Sequence, residues 1–172
     1  MLLNRLQQNY FLKKNPIYTI YGNVLVGGGH LAKVFEKYGK LKKASDIIDR
    51  GYGIKEDFIN NLNINFNPDY KYDGDIVTNP PFKYALEFVK QALKIVNNGR
   101  KVCMFLRIQF LEGKERKEFF KDFPPKTIYV SSSRIKCAIN ADFNSLGSSA
   151  LCFAWFVWEK GYKGDTIIKW IN

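Results

Sequence analysis

The chain has 172 residues, 46% of them hydrophobic, which is enough for one domain with a real core and not comfortably enough for two. Lys and Arg number 27 against 16 Asp and Glu, and this net charge of +11 favours a nucleic-acid partner, because each cation placed on a phosphate releases a counterion. No apolar run approaches the ~20 residues that span a bilayer and residues 1–14 lack the apolar centre of a signal peptide, so a cytoplasmic location without membrane contact is expected.

Residues 1–17 read as an irregular arm on a single domain, 1–172. Beyond the arm, strand-like and helix-like runs alternate, the pattern of a three-layer, doubly wound α/β fold. A strand over 18–26 leads to three glycines. A helix then starts at about His30, with Leu31, Val34, Phe35 and Tyr38 at the helical period and Gly39 to end it. A short strand over 41–45 reaches Asp46, and residues 49–73 read mostly as loop, with room for a short strand or helix near Phe58. Asp75 to Thr78 form a buried strand ahead of Asn79-Pro80-Pro81-Phe82, and a helix is expected over 83–96.

Residues 101–106 are a second buried strand, 112–121 a charged helix and 127–131 a strand. Residues 132–148 are polar and irregular, 149–158 an aromatic strand and 166–171 a closing strand. The late strands, joined by turns, point to an antiparallel end on a mostly parallel sheet. Cys103, Cys137 and Cys152 are scattered singly, with neither metal-ligand spacing nor the even count of a disulfide framework. Cys103 and Cys152 sit inside apolar runs and read as small buried hydrophobes. His30 is the only histidine, which leaves little for Ser-His-Asp chemistry or a zinc site.

Two constellations carry chemistry. Gly27-Gly28-Gly29-His30-Leu31-Ala32 follows a strand and opens a helix, where glycine lets the backbone turn tightly and approach a ligand. Asp46 falls at the end of the next strand, the spacing at which a carboxylate reaches ribose hydroxyls. This pattern suits a dinucleotide or S-adenosylmethionine equally, and also a plain structural turn. Asp46 alone reads as well as a helix cap or a surface charge. The second constellation, Asn79 to Phe82, sits at the carboxyl end of a buried strand, where open α/β sheets bind ligands. Two prolines stiffen the backbone and remove two N–H donors, leaving the Pro80 carbonyl to act beside the Asn79 amide. Two such acceptors grip an amino group without protonating it, and Phe82 adds a flat face for a planar base.

At these residues the sequence resembles the amino-group methyltransferases of class I, especially the DNA adenine-N6 type, whose signature Asn/Asp-Pro-Pro-aromatic follows the fourth strand. The order of the two motifs and the run 149–158 also resemble that family, from about Tyr21 to the end of the chain. The resemblance implies a Rossmann-like methyltransferase fold with S-adenosylmethionine as cofactor and no metal. It places Gly27 and Gly29 near the methionine part of the cofactor, Asp46 on its ribose, and Asp57 and Phe58 at its adenine. Asn79 and the Pro80 carbonyl would hold the target amine, with Phe82 stacked on a base flipped out of the duplex. Asn23 and Val24 stand where the family has an acidic residue and a proline, so the cofactor loop is expected to be impaired. The separate target-recognition domain that such enzymes often carry would find little room in 172 residues, so loops over 49–72 and 132–148 are expected to provide specificity. Arg107, Lys114, Arg116, Lys117 and Lys121 form a basic stretch that either tracks phosphates or is a solvated face, partly neutralised by its Glu residues. The competing readings are an RNA or protein-side-chain methyltransferase on the same motif, and an inactive nucleic-acid-binding remnant. A nicotinamide oxidoreductase leaves Asn79 to Phe82 unexplained.

Overall fold

The computed structural model describes residues 20–24, 29–61, 67, 69–132 and 151–171. Among these, eight strands form one sheet: β1 (Ile20–Val24), β2 (Ala44–Asp46), β3 (Ile54–Lys55), β4 (Asp75–Thr78), β5 (Lys101–Arg107), β6 (Thr127–Ser131), β7 (Phe153–Glu159) and β8 (Ile167–Ile171). Their order across the sheet is β3-β2-β1-β4-β5-β7-β6-β8. Only β7 runs against the others, pairing antiparallel with both β5 and β6, while β8 lies parallel to β6. Three helices are described: α1 (His30–Lys37), α2 (Ala85–Ile95) and α3 (Lys114–Asp122).

Period-two alternation divides the core between the two faces of the sheet. On β5, Val102, Met104 and Leu106 join one cluster, while Cys103 and Phe105 join the other. On β7, Ala154, Phe156 and Trp158 join the first, and Phe153, Trp155 and Val157 the second. The first cluster is roofed by α2, through Ala85, Leu86, Phe88, Val89, Ala92, Leu93 and Ile95, and by Phe119 of α3. The second is roofed by α1, whose Phe35 is 1% exposed. This is the expected three-layer arrangement, and buried apolar side chains of this size each contribute about 1.5–3 kcal/mol.

Several boundaries differ from those expected. β2 begins at Ala44, and the stretch read as loop contains the short β3, bonded to β2. A 3-10 turn, Phe82–Tyr84, precedes α2. Tyr38 is exposed, because α1 ends one residue before it. Cys103 is buried as expected, but Cys152 is exposed, since it lies just outside β7. β7 and β8 are not paired as a hairpin: both edges of β7 are already taken by β5 and β6, so β8 pairs with β6. Residues 1–19 and 133–150, including the arm, Cys137 and most of the polar stretch, lie outside the described residues.

Candidate functional site

The chain leaves β1 outward to β2 and β3, then returns on the other side of β1 as β4 and continues to β5. Such a reversal opens a crevice at the carboxyl ends of β1 and β4, the usual ligand site of doubly wound sheets. Asn79 follows the last residue of β4 and so stands at this crevice. It is half-buried and Pro80 is buried. The Pro81 carbonyl accepts the Tyr84 N–H at 2.9 Å and so begins the 3-10 turn. Neither the Asn79 side chain nor the Pro80 carbonyl has a hydrogen-bond partner among the described residues.

Phe82 is half-buried and lies 5.8 Å, centroid to centroid, from the ring of Phe153. Arg107, the last residue of β5, sets its guanidinium 4.5 Å from the Phe82 centroid. Register explains the meeting. Arg107 and Phe153 are direct antiparallel partners, so their side chains share one face of the sheet, and Phe82 packs against both.

On the other side of the crevice, Gly29 caps α1 with φ 78°, a left-handed conformation that glycine adopts without strain. A Cβ built there would lie 2.7–2.9 Å from three ring atoms of Tyr52. Partial burial, and then the neighbouring Glu36 carboxylate, push the Tyr52 hydroxyl well above the ordinary tyrosine range. The Lys33 ammonium stands 5.4 Å from the same ring. Gly27 lies outside the described residues.

Asp46 ends β2 with a side chain only 6% exposed. Its Oδ1 accepts the Ile48 N–H at 3.0 Å and faces Arg50 Nη1 at 3.5 Å, so a local turn fixes the carboxylate. Asp57 lies just past β3, and its carboxylate accepts the N–H groups of Ile59 and Asn60, both at 3.0 Å, and the Asn60 side chain at 2.8 Å. Burial opposes its charge, but the Asn60 and Ile59 hydrogen bonds prevail and hold this carboxyl below its ordinary value. Phe58 is 3% exposed, with its ring stacked on Phe88 of α2 at 5.5 Å, so it packs in the core.

Ile47, Ile48 and Tyr52 carried no assignment from the sequence, and Arg107 was marked there only as part of a basic stretch. Ile47 and Ile48, directly after Asp46, are 47% and 52% exposed. Two β-branched residues behind an acid at a strand end were the available signal. The Tyr52–Gly29 contact and the Arg107–Phe82 stack join residues far apart in the chain, and no local pattern marks them.

No protein family and no curated protein matches the chain by sequence. Its structure is similar to several solved ones. A protein from Vibrio vulnificus YJ016, described as a modification subunit of a type I restriction enzyme, superposes with TM-score 0.66 and 14% identity over 99% of this chain and 47% of its own. One from Listeria monocytogenes, described as a class I S-adenosylmethionine-dependent methyltransferase, gives TM-score 0.58 and 12% identity over 95% of this chain and 62% of its own. One from Pyrococcus horikoshii, described as an RNA methyltransferase, gives TM-score 0.54 and 11% identity over 89% of this chain and 81% of its own. The chain thus spans about half the length of the first and about three-fifths of the second. No helix among the described residues is long and apolar enough to cross a membrane. At these identities the likeness is one of fold, and the chain has the Rossmann-like α/β fold of class I S-adenosylmethionine-dependent methyltransferases.

Proposed function

We propose that the chain transfers a methyl group from S-adenosylmethionine to an exocyclic amine, adenine N6 in DNA. What carries this reading is the pair of acceptors at the carboxyl end of β4, the Asn79 amide oxygen and the Pro80 carbonyl, neither engaged by a hydrogen bond among the described residues. These acceptors take the N–H bonds of the target amine and orient its nitrogen for transfer, so the chain's contribution is mainly positioning and preorganised polarity.

The residues around the crevice fit the cofactor in kind. Carboxylates stand at the end of β2 and just past β3, exposed Ile47 and Ile48 lie beside the first, and a left-handed glycine heads α1. Asp46 serves the ribose, Asp57 the adenine amine, Gly27 and Gly29 the methionine end, and Ile47 and Ile48 give the adenine an apolar surface. Phe58 supports this region from within the core. When bound, S-adenosylmethionine supplies an electrophilic methyl on a sulfonium. A second reading, a remnant that binds nucleic acid without turnover, rests on Asn23 and Val24 in β1, where related loops carry an acid and a proline.

Calorimetric titration with S-adenosylmethionine, followed by labelled transfer to DNA, RNA and protein in parallel, tests the reading. Cofactor binding with label in DNA, on adenine N6, supports it. Label in RNA or protein alone moves the target, and no cofactor binding leaves the remnant.

A further inference from the structure

The basic stretch from Arg107 to Lys121 separates in the structure into cations with different surroundings. Lys121 pairs with Glu118, and Arg116 reaches the Glu112 carbonyl and the face of Phe110. Arg107 is exposed and makes no ion pair among the described residues. Its guanidinium lies over the aromatic face of Phe82, the last residue of the Asn79-Pro80-Pro81-Phe82 motif. Lys83, the next residue, is likewise exposed and lies over the Tyr84 ring at 5.2 Å, with no acidic partner among the described residues. Among the described residues, Arg107 and Lys83 thus give the rim beside the two acceptors cations that no carboxylate pairs.

A guanidinium held over an aromatic face by cation–π attraction, here with Cζ 4.5 Å from the ring centroid, keeps its planar fork of N–H donors available to a ligand. That planar fork matches the oxygens of a phosphate two at a time, whereas an ammonium acts as a point charge. The stack also changes what Phe82 can do. The ring area under the guanidinium is not open to a base, so the Phe82 side chain orients Arg107 as well as lining the pocket.

Resting on the proposed transfer to a nucleic-acid amine, we infer that Arg107 is a positioning residue that takes the backbone phosphate beside the target nucleotide. It sets the depth at which the base meets Asn79 and Pro80.

The test uses the full chain with fluorescein-labelled DNA and RNA oligonucleotides of mixed sequence. Binding is measured at several salt concentrations for the parent, R107A, R107K and N79A, with thermal unfolding to confirm that each variant is folded. R107A is expected to bind DNA about tenfold more weakly and to lower the slope of log K against log salt by about one. R107K should retain that slope but raise KM for DNA, and neither Arg107 variant should change S-adenosylmethionine affinity. An unchanged slope and DNA KM in R107A overturns the inference, and if N79A has meanwhile lost transfer, the proposed activity still stands. A reduced slope in a parent that transfers no methyl supports the phosphate contact while the proposed activity fails. Should R107A not fold, R107K decides alone: an unchanged KM for DNA, or unchanged affinity where the parent has no activity, overturns the inference.

Discussion

The ring of Tyr52, on the loop between β2 and β3, rests against Gly29 at the head of α1 so closely that a Cβ on Gly29 would lie 2.7–2.9 Å from its carbons. Two constraints therefore meet at Gly29, a left-handed φ and the absence of space.

Gly29→Ala is expected to destabilise the fold by about 1–3 kcal/mol, from backbone strain together with displacement of Tyr52. In a Tyr52→Ala background the steric share disappears and only the backbone share remains. Urea unfolding of the two single variants and the double variant measures this coupling. Strict additivity would show that the ring does not press on Gly29 in solution.

Asn79→Ala should lower methyl transfer by roughly 100-fold or more while leaving stability nearly unchanged, since preorganised polar contacts to a reacting group commonly carry that much. Asn79 is half-buried and holds up no neighbour by hydrogen bond among the described residues. Single-turnover rates at saturating cofactor give the measurement. Near-parent activity would remove Asn79 from the mechanism.

Asn23→Glu should tighten S-adenosylmethionine binding by roughly 10- to 150-fold, the equivalent of about 1.5–3 kcal/mol, by offering the cofactor's ammonium a charged acceptor. Position 23 lies opposite Ala44 near the carboxyl end of β1. Val24 is left as it is, because it stands opposite Ser45 in a central strand, where proline is poorly tolerated. Calorimetry reads the affinity, and weaker binding would mean that position 23 does not face the ammonium.

Cys103 and Cys152 should differ sharply in reactivity. Burial first, and the Asp75 carboxylate second, push the Cys103 thiol far above its ordinary range, whereas Cys152 is exposed. In a Cys137→Ser background, a thiol-specific disulfide reagent should label one thiol at once. The second should react only at the rate at which the fold opens. Two fast thiols would contradict the burial of β5.

The layers of this fold were legible where the pattern is strong. Five consecutive buried residues in β5 and six in β7 announce central strands, and the stripe of α2 announces a helix on one face. The candidate site was legible where backbone chemistry is local, as in the Asn79–Phe82 turn. Ile54 and Lys55 gave no signal, since β3 has two residues and both are exposed. Phe82 read as a bare ring because Arg107 reaches it only through the alignment of β5 with β4 and β7. Phe58 read as a ring beside the cofactor because its stacking partner, Phe88, lies on a helix thirty residues on.

The place of β7 governs the order in which the molecule can assemble. It follows β5 and β6 in the chain yet lies between them, with Lys101 paired to Glu159 and Thr127 to Val157. During synthesis β5 must wait with an open edge, and β6 has no neighbour inside the sheet, until residues 153–159 emerge. Closure of this half is a late, long-range event, which favours refolding in milliseconds to seconds over microseconds. Chains interrupted between β6 and β7 retain that open edge, the kind of surface on which strands of separate molecules join.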